Sequence, residues 1–449
     1  MTGSGELGTV DSRLATPDSR LGNWQLATGL PSNLVPMNPQ VLVVGGGPSG
    51  ASSAYWLADR GVDVLLVEKK TYPREKACGD GLTPRAVRQL VDMGFEFGGD
   101  VHKIVGLRSY AGDVMLEMPW PEHSLYPNWG ATLRRSELDG RVTGLAETRG
   151  AKVLQGIEAR PIVDDGELVG VNLHGDGDDP ERITPEYVVI ADGSLSRFGR
   201  ELGTKRRRDY PFGLAVRGYW ESSNANDGYI ESQLDIRDKQ GRSMPGYGWV
   251  FPLGDGTVNV GAGLVSTFKG WKDINTSNIL AAYVAALPDH WEIDGDPIAK
   301  PIGGKLPMSF SVGPKSGRNW VAVGDAAGAV NPFNGEGIDY GYETGRLAAG
   351  VIAEALASDD PGVLAAYDQA LIDEYAAYHR VARIFLEAIG NPTVMRTLVT
   401  VGMRSQTLME WVLKVMANLL EPEEKGMIEY VFAAIEQAVD LPGVRRYKA

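Results

Sequence analysis

The apolar positions of this chain fall into distinct rhythms, and the order of those rhythms predicts its architecture. Val41-Leu42-Val43-Val44 is an unbroken apolar run, as in a strand buried on both faces. It leads into Gly45-Gly46-Gly47-Pro48-Ser49-Gly50 and an Ala-rich stretch, which predicts a tight turn and then a helix over residues 48–60. Proline in the first turn and Gly61 just past the end fit that helix. Residues 62–67 predict a second strand ending in Glu68, and residues 71–93 a loop followed by a helix capped by Thr83. Two more apolar runs, 187–193 and 319–325, predict buried strands returning to the same parallel sheet.

Elsewhere the rhythm changes. Residues 101–133 and 210–265 read as strands broken by turn residues, which predicts a separate antiparallel sheet. From Gly337 onward the spacing is helical almost throughout. Residues 1–38 show no sustained periodicity and read as a disordered tail, or as a mis-assigned start with Met37 just before the first strand. The expected fold class is α/β (α+β overall). A Rossmann-like nucleotide domain is assembled from 39–100, 134–205 and 315–360; an inserted β-rich substrate domain covers 101–133 and 206–314, and a helical region covers 361–449.

Composition narrows the function. A net charge of −14 argues against nucleic acid as a partner, and the basic run Lys205–Arg208 reads as a solvated loop. The single cysteine, Cys78, allows no intramolecular disulfide and fits a reducing compartment. The five histidines are scattered, so no metal site is expected. No apolar stretch reaches the ~20 residues that span a bilayer, and no signal pattern opens the chain. The expectation is a cytoplasmic protein whose membrane contact, at the inner face of the plasma membrane, is peripheral.

The chemistry-bearing residues begin with Gly45, Gly47 and Gly50, which satisfy G-x-G-x-x-G between a strand and a helix. Glu68 ends the next strand about 20 residues on, where a carboxylate accepts hydrogen bonds from ribose hydroxyls. Only one such fingerprint is present, so the expected nucleotide is a resident FAD rather than a diffusing nicotinamide; the electron donor, NAD(P)H or a small redox protein, is left open. Tyr247, Trp249 and Phe251 alternate and so share one face of a strand, where they either wall an apolar channel or pack the core. Leu408, Trp411, Val412, Val415, Met416 and Leu419 form a helical stripe, either core or a membrane-facing surface aided by Arg445, Arg446 and Lys448.

Arg135-Ser-Glu-Leu-Asp139, Ala191-Asp192-Gly193 with Ser196, and Gly324-Asp325 resemble the FAD-dependent p-hydroxybenzoate hydroxylase-like superfamily. Lys76-Ala-Cys78-Gly79-Asp80-Gly81-Leu82-Thr83-Pro84-Arg85 and Gly246-Tyr247-Gly248-Trp249-Val250-Phe251-Pro252 narrow the resemblance to the geranylgeranyl reductase family, nearest the actinobacterial menaquinone reductases. It covers the chain from about Met37 onward. The resemblance implies FAD contacts at Gly50, Glu68, Cys78, Gly79, Gly81, Arg135, Ala159, Asp325, Gly337 and Ile338. It also implies saturation of a prenyl double bond of an isoprenoid lipid, a menaquinone tail or a geranylgeranyl group, by hydride from reduced FAD and a proton from the protein. Cys78 and Tyr247 are the candidate proton donors. Arg135 offers a planar fork to a pyrophosphate or else pairs with Glu137 or Asp139. An aromatic monooxygenase and a non-catalytic prenyl-lipid-binding protein are the competing functions; oxygen uptake would mark the first, and a colourless protein the second.

Overall fold

A computed structural model of the chain describes residues 38–439 apart from 176, 178, 269, 294 and 422–425. The expected tail, Asn38 excepted, and Arg445, Arg446 and Lys448 lie outside the described residues.

Strand Val41–Val44 is the centre of a five-stranded sheet ordered Trp320–Ala322, Tyr187–Ile190, Val41–Val44, Val64–Glu68 and Lys152–Gln155, with every pairing parallel. All residues of the three middle strands are buried, which is why they read as unbroken apolar runs. Helices Pro48–Ala58, Arg135–Thr148 and Ile338–Ser358 contribute to the core on one face, with Val43 and Leu66. A three-stranded sheet of Glu158–Asp164, Glu167–His174 and Glu181–Ile183 covers the other, its Val171 and Leu173 packed with Leu42 and Leu65. That small sheet is absent from the sequence reading. Chain order reverses at Val41–Val44, so a crevice opens beyond the carboxyl end of that strand.

The second large sheet has seven strands, ordered Ile302–Pro307, Phe212–Glu221, Thr257–Val265, Gly246–Pro252, Tyr229–Gln233, Gly106–Ala111 and Val114–Pro119. It corrects the expected antiparallel sheet in two respects. Gly106–Ala111 runs parallel to Tyr229–Gln233, because two excursions from the nucleotide-binding region enter the sheet side by side in the same direction. His102–Ile104 and Gly130–Thr132 do not join it; they pair with each other, and Gly130–Thr132 pairs on its other side with Gly81–Leu82. One face of the seven-stranded sheet packs on helix Thr276–Val284 and the fully buried Trp291 through Val250, Val258 and Val260. Beyond Gly337 the described residues are mostly helical, the last helices being Ala365–Ile389, Pro392–Gly402, Gln406–Met416 and Met427–Val439.

Helix Ile338–Ser358 crosses the first helix at close range. A Cβ on Gly345 would sit 2.5 Å from the Ser49 carbonyl oxygen, and one on Gly341 3.4 Å from the Ser49 nitrogen. Ser52 Oγ donates to the Tyr342 carbonyl across the same contact, at 2.7 Å. Replacing Gly345 with Val should therefore overpack the crossing and cost about 1–3 kcal/mol in urea unfolding. Gly350→Ala, in open space on the same helix, should instead be neutral or stabilise by up to about 1 kcal/mol.

Candidate active site

The glycine turn is built for two purposes. Gly45 has φ +106° and a Cβ there would lie 2.5 Å from the Ala191 carbonyl oxygen, while a Cβ on Gly50 would collide with the Gly45 carbonyl. Both are required by the fold itself. Gly47 is different: its nearest neighbours would be Arg74 Nη2 at 3.8 Å and Arg135 Nη2 at 4.0 Å. Its missing side chain leaves open space flanked by two guanidinium groups.

Those groups are held by a buried network. Arg135 Nε and Nη2 donate to the two oxygens of Asp139 at 2.8 Å each, and Arg74 Nη1 lies 3.0 Å from the same carboxylate. Arg74 also reaches Glu68 at 3.3 Å. Glu68 accepts from the backbone N–H of Gly46 at 2.9 Å and of Lys70 at 3.0 Å, so it ties its strand end to the glycine turn. Arg135 thus pairs with Asp139 while further N–H groups of its fork stay available to a ligand. Arg74 belongs to the network but was missed in the sequence, where a lone arginine in a loop carries no signal.

The loop at Cys78 is anchored by Asp80, which is fully buried with φ +64°. Its Oδ1 accepts from the Arg135 backbone N–H at 3.1 Å, and its Oδ2 from Tyr219 and Asn259 at 2.6 and 2.8 Å. Asn259 also donates to the Cys78 carbonyl at 2.9 Å. Cys78 lines the crevice, and burial pushes its thiol up, so it is neutral there. Gly79 and Gly81 owe their identity to a protein contact: a Cβ on either would meet the Phe251 ring, at 2.9 and 3.0 Å.

Asp325 follows Gly324, whose φ is +54°. Asp325 Oδ1 lies 3.5 Å from the position a Cβ on Gly337 would take. Gly337 and Ile338 open the long helix with no side-chain cap, and both line the crevice, as does Ala159 on its strand. Asp192 belongs to the Ala191-Asp192-Gly193 motif. Its Oδ2 accepts from the Phe198 N–H at 3.1 Å, while its Oδ1 is buried with no hydrogen-bond partner, and burial pushes the carboxyl up.

Tyr247, Trp249 and Phe251 stand in a row on one face, with ring centroids 6.0 and 6.2 Å apart. All three line the same cavity as the glycine turn. That cavity holds about 930 Å³, at the upper end for ligand sites. It continues under the seven-stranded sheet, past Leu107 and Ile230, to the C-terminal helices. There Leu408, Val412 and Met416 line it, whereas Leu419 is buried in core. The helical stripe is therefore divided between cavity wall and core, a use its periodicity could not distinguish.

A family model described as FAD binding domain matches residues 38–216. The menaquinone reductase of Mycobacterium tuberculosis (strain ATCC 25618 / H37Rv) is 39% identical over 396 residues, 87% of this chain and 94% of the relative. The chain belongs to the geranylgeranyl reductase family of FAD-dependent oxidoreductases. A digeranylgeranylglycerophospholipid reductase from Methanopyrus kandleri is 29% identical over 72% of this chain and 83% of that protein. Among solved structures, a geranylgeranyl bacteriochlorophyll reductase-like protein from Thermoplasma acidophilum matches 88% of this chain and 99% of its own, with a TM-score of 0.72 at 23% identity. A flavin-dependent brominase matches 90% of this chain and 99% of its own, with a TM-score of 0.68 at 18% identity, a likeness of fold alone.

FAD is the cofactor of this family member, and the site has the features that group needs. Gly47 leaves a cradle beside two guanidinium groups, and Asp192 lines the same crevice. We propose that Gly45, Gly47, Gly50, Glu68, Arg74, Arg135 and Asp192 serve the nucleotide end, and Cys78, Gly79, Gly81, Asp325, Gly337 and Ile338 the ring end. The two kinds of glycine give a test. Gly47→Val has room within the protein and should weaken FAD binding about tenfold or more, measured by titrating cofactor-free protein, with its unfolding midpoint unchanged. Gly50→Ala should lower the midpoint as well.

Proposed function

We propose that this enzyme saturates a prenyl double bond in the isoprenoid tail of a menaquinone. The observation that carries the reading is the continuity of one cavity from the glycine turn, past three aromatic rings, to an apolar far end. A diphosphate suits the cationic end, where Lys69, Lys70 and Lys76 join Arg74 and Arg135. A long hydrocarbon suits the other. The names of the relatives support the substrate class: the M. tuberculosis protein is a menaquinone reductase and the M. kandleri protein a reductase of digeranylgeranylglycerophospholipids.

FAD, when bound and reduced, supplies hydride. The protein's part is to place an isolated alkene, a poor hydride acceptor, and to keep water from it. Trp249 is fixed for that work: its Nε1 donates to Asn259 Oδ1 at 3.0 Å, and its ring lies over Gly261. Tyr247 is fixed too, its hydroxyl donating to the Asn334 carbonyl at 2.5 Å. With the polar atoms of both side chains already satisfied, they present apolar ring faces to a lipid tail. Anaerobic incubation of the reduced enzyme with menaquinone should give a product about two mass units heavier in the tail. A product that gains oxygen, or reduction confined to geranylgeranyl phospholipids, would overturn the menaquinone assignment.

We further propose that helix Pro392–Gly402 rests on an anionic bilayer leaflet at the cavity's mouth. Val394, Leu398 and Val401 share one helical face, and all are exposed, Val401 by 56%. Leu398 and Val401 also line the cavity. No acidic residue occurs between Asn391 and Met409, although the chain carries −14 overall, and the charged residues of that stretch, Arg396 and Arg404, are both exposed. Among the described residues no helix is long and apolar enough to cross a membrane. Changing Arg396 and Arg404 together to Glu should abolish co-sedimentation with phosphatidylglycerol-containing vesicles and spare turnover of detergent-dispersed substrate. Unchanged sedimentation would rule this surface out.

A further inference from the structure

Saturating an alkene consumes a proton as well as a hydride, and neither donor named from the sequence is well placed to supply it repeatedly. The Tyr247 proton is engaged with a carbonyl, which has none to return, and burial pushes the phenol well above its ordinary value. The Cys78 thiol lies beside Arg135, whose guanidinium does not give up protons.

Glu336 has what they lack. It lines the cavity on the tight turn that enters the long helix, close enough to Tyr247 to act on its charge. The turn is rigid: the Asn331 N–H donates to the Glu336 carbonyl at 2.8 Å, and the Glu336 N–H to Asn334 Oδ1 at 2.9 Å. Asn331 is itself fully buried, its Nδ2 donating to Tyr378 Oη and the Met416 carbonyl at 3.1 and 3.0 Å. The side chain is held by Thr83, whose hydroxyl donates to Glu336 Oε1, and by Asn334 Nδ2, 3.2 Å from Oε2. Thr83 makes no side-chain cap on its own helix, contrary to its sequence pattern, because its hydroxyl is committed here.

Glu336, Asp339 and Glu343 recur at helical spacing and face a single partner, Arg85. That charge is already claimed. Arg85 Nη2 donates to both Glu343 oxygens at 2.7 Å, and Tyr375 adds a third hydrogen bond to Glu343 at 2.8 Å. Asp339 is fully buried, 3.7 Å from Arg85 Nε, and neither of its oxygens has a hydrogen-bond partner. An ionised carboxylate in that position would be very costly, so Asp339 holds a proton. Burial likewise pushes the Glu336 carboxyl up to about 7, against the hydrogen bonds from Thr83 and Asn334 and the charge of Arg85, with Glu343 adding to the rise.

We propose that Glu336 is the acid that protonates the prenyl double bond; half-buried in the cavity wall, it is reprotonated by water once the product has left. The proposal rests on the prenyl-reductase reading. The π electron pair of the alkene forms a C–H bond with the Glu336 proton at one carbon, and hydride from the two-electron-reduced flavin completes the other. Glu336 is left ionised and takes up a proton before the next turnover.

Glu336→Gln keeps the side chain's size and its contacts with Thr83 and Asn334 but carries no acidic proton. It should lower turnover about 100-fold or more while FAD and lipid binding stay intact, and Glu336→Asp should restore part of the rate. Wild-type turnover should fall as pH rises through about 7, and the variant should lose that limb. In cofactor-free protein, the infrared carbonyl band of a neutral carboxyl should disappear with a midpoint at about 7, and be missing from Glu336→Gln. Stability should follow the same sign: this raised group favours the fold at low pH, and its contribution is lost as pH rises through about 7. A Glu336→Gln enzyme with near-normal turnover, or one that keeps the titrating band, sinks this proposal alone. A wild type inert towards every prenyl lipid sinks both readings.

Discussion

The close crossing of the first and the long helix is the constraint on which the site depends. Side chains at Gly341 or Gly345 would separate two helices that lie nearly 300 residues apart in the chain, as the Ser52–Tyr342 bond measures. Gly324 joins the same contact, since a Cβ there would lie 2.7 Å from Ser49 Oγ. Because these backbones touch, the glycine turn, Asp325 and the entry of the long helix all open onto one crevice. A loosened crossing would leave each motif intact in sequence and no shared site in space.

The crevice then changes character along its length. At one end Arg74, Arg135, Glu68 and Asp139 are buried but mutually paired, which offsets the cost of removing charge from water. At the other end the walls are rings and aliphatic side chains. Glu336 lines the cavity where these regions meet, with Asp339 fully buried outside its lining, and there the same burial acts differently: without a free counter-charge it favours neutral carboxyls. One low-dielectric cavity can thus hold a charged cofactor and keep acids protonated, because the distribution of arginines differs between its ends.

Much of this was legible in local pattern. Unbroken apolar runs marked the parallel strands, the glycine spacing marked the turn, and the alternation of Tyr247, Trp249 and Phe251 correctly placed three rings on one face. What escaped was long-range. The parallel pairing of Gly106–Ala111 with Tyr229–Gln233 depends on two excursions meeting, and nothing in either strand announces the other. Arg74 acquires its role only from Asp139 and Glu68. The acids at 336, 339 and 343 could be seen as a stripe, yet a stripe of acids reads as a solvated face until the helix covering it is known.

The glycines at 79 and 81 show how a correct motif can carry an incomplete reason. Their lack of side chains first reads as room for a flavin, but the atoms that would meet a Cβ belong to Phe251. Phe251 and the Cys78 loop are therefore fitted to each other before any ligand enters. That fit has a consequence for the reaction. The loop assigned to the flavin ring and the wall assigned to the lipid tail form one rigid unit, anchored from beneath by Asp80 and Asn259. A shift of either surface must move the other, so the distance between cofactor and alkene is set by protein packing rather than by how tightly a flexible lipid binds.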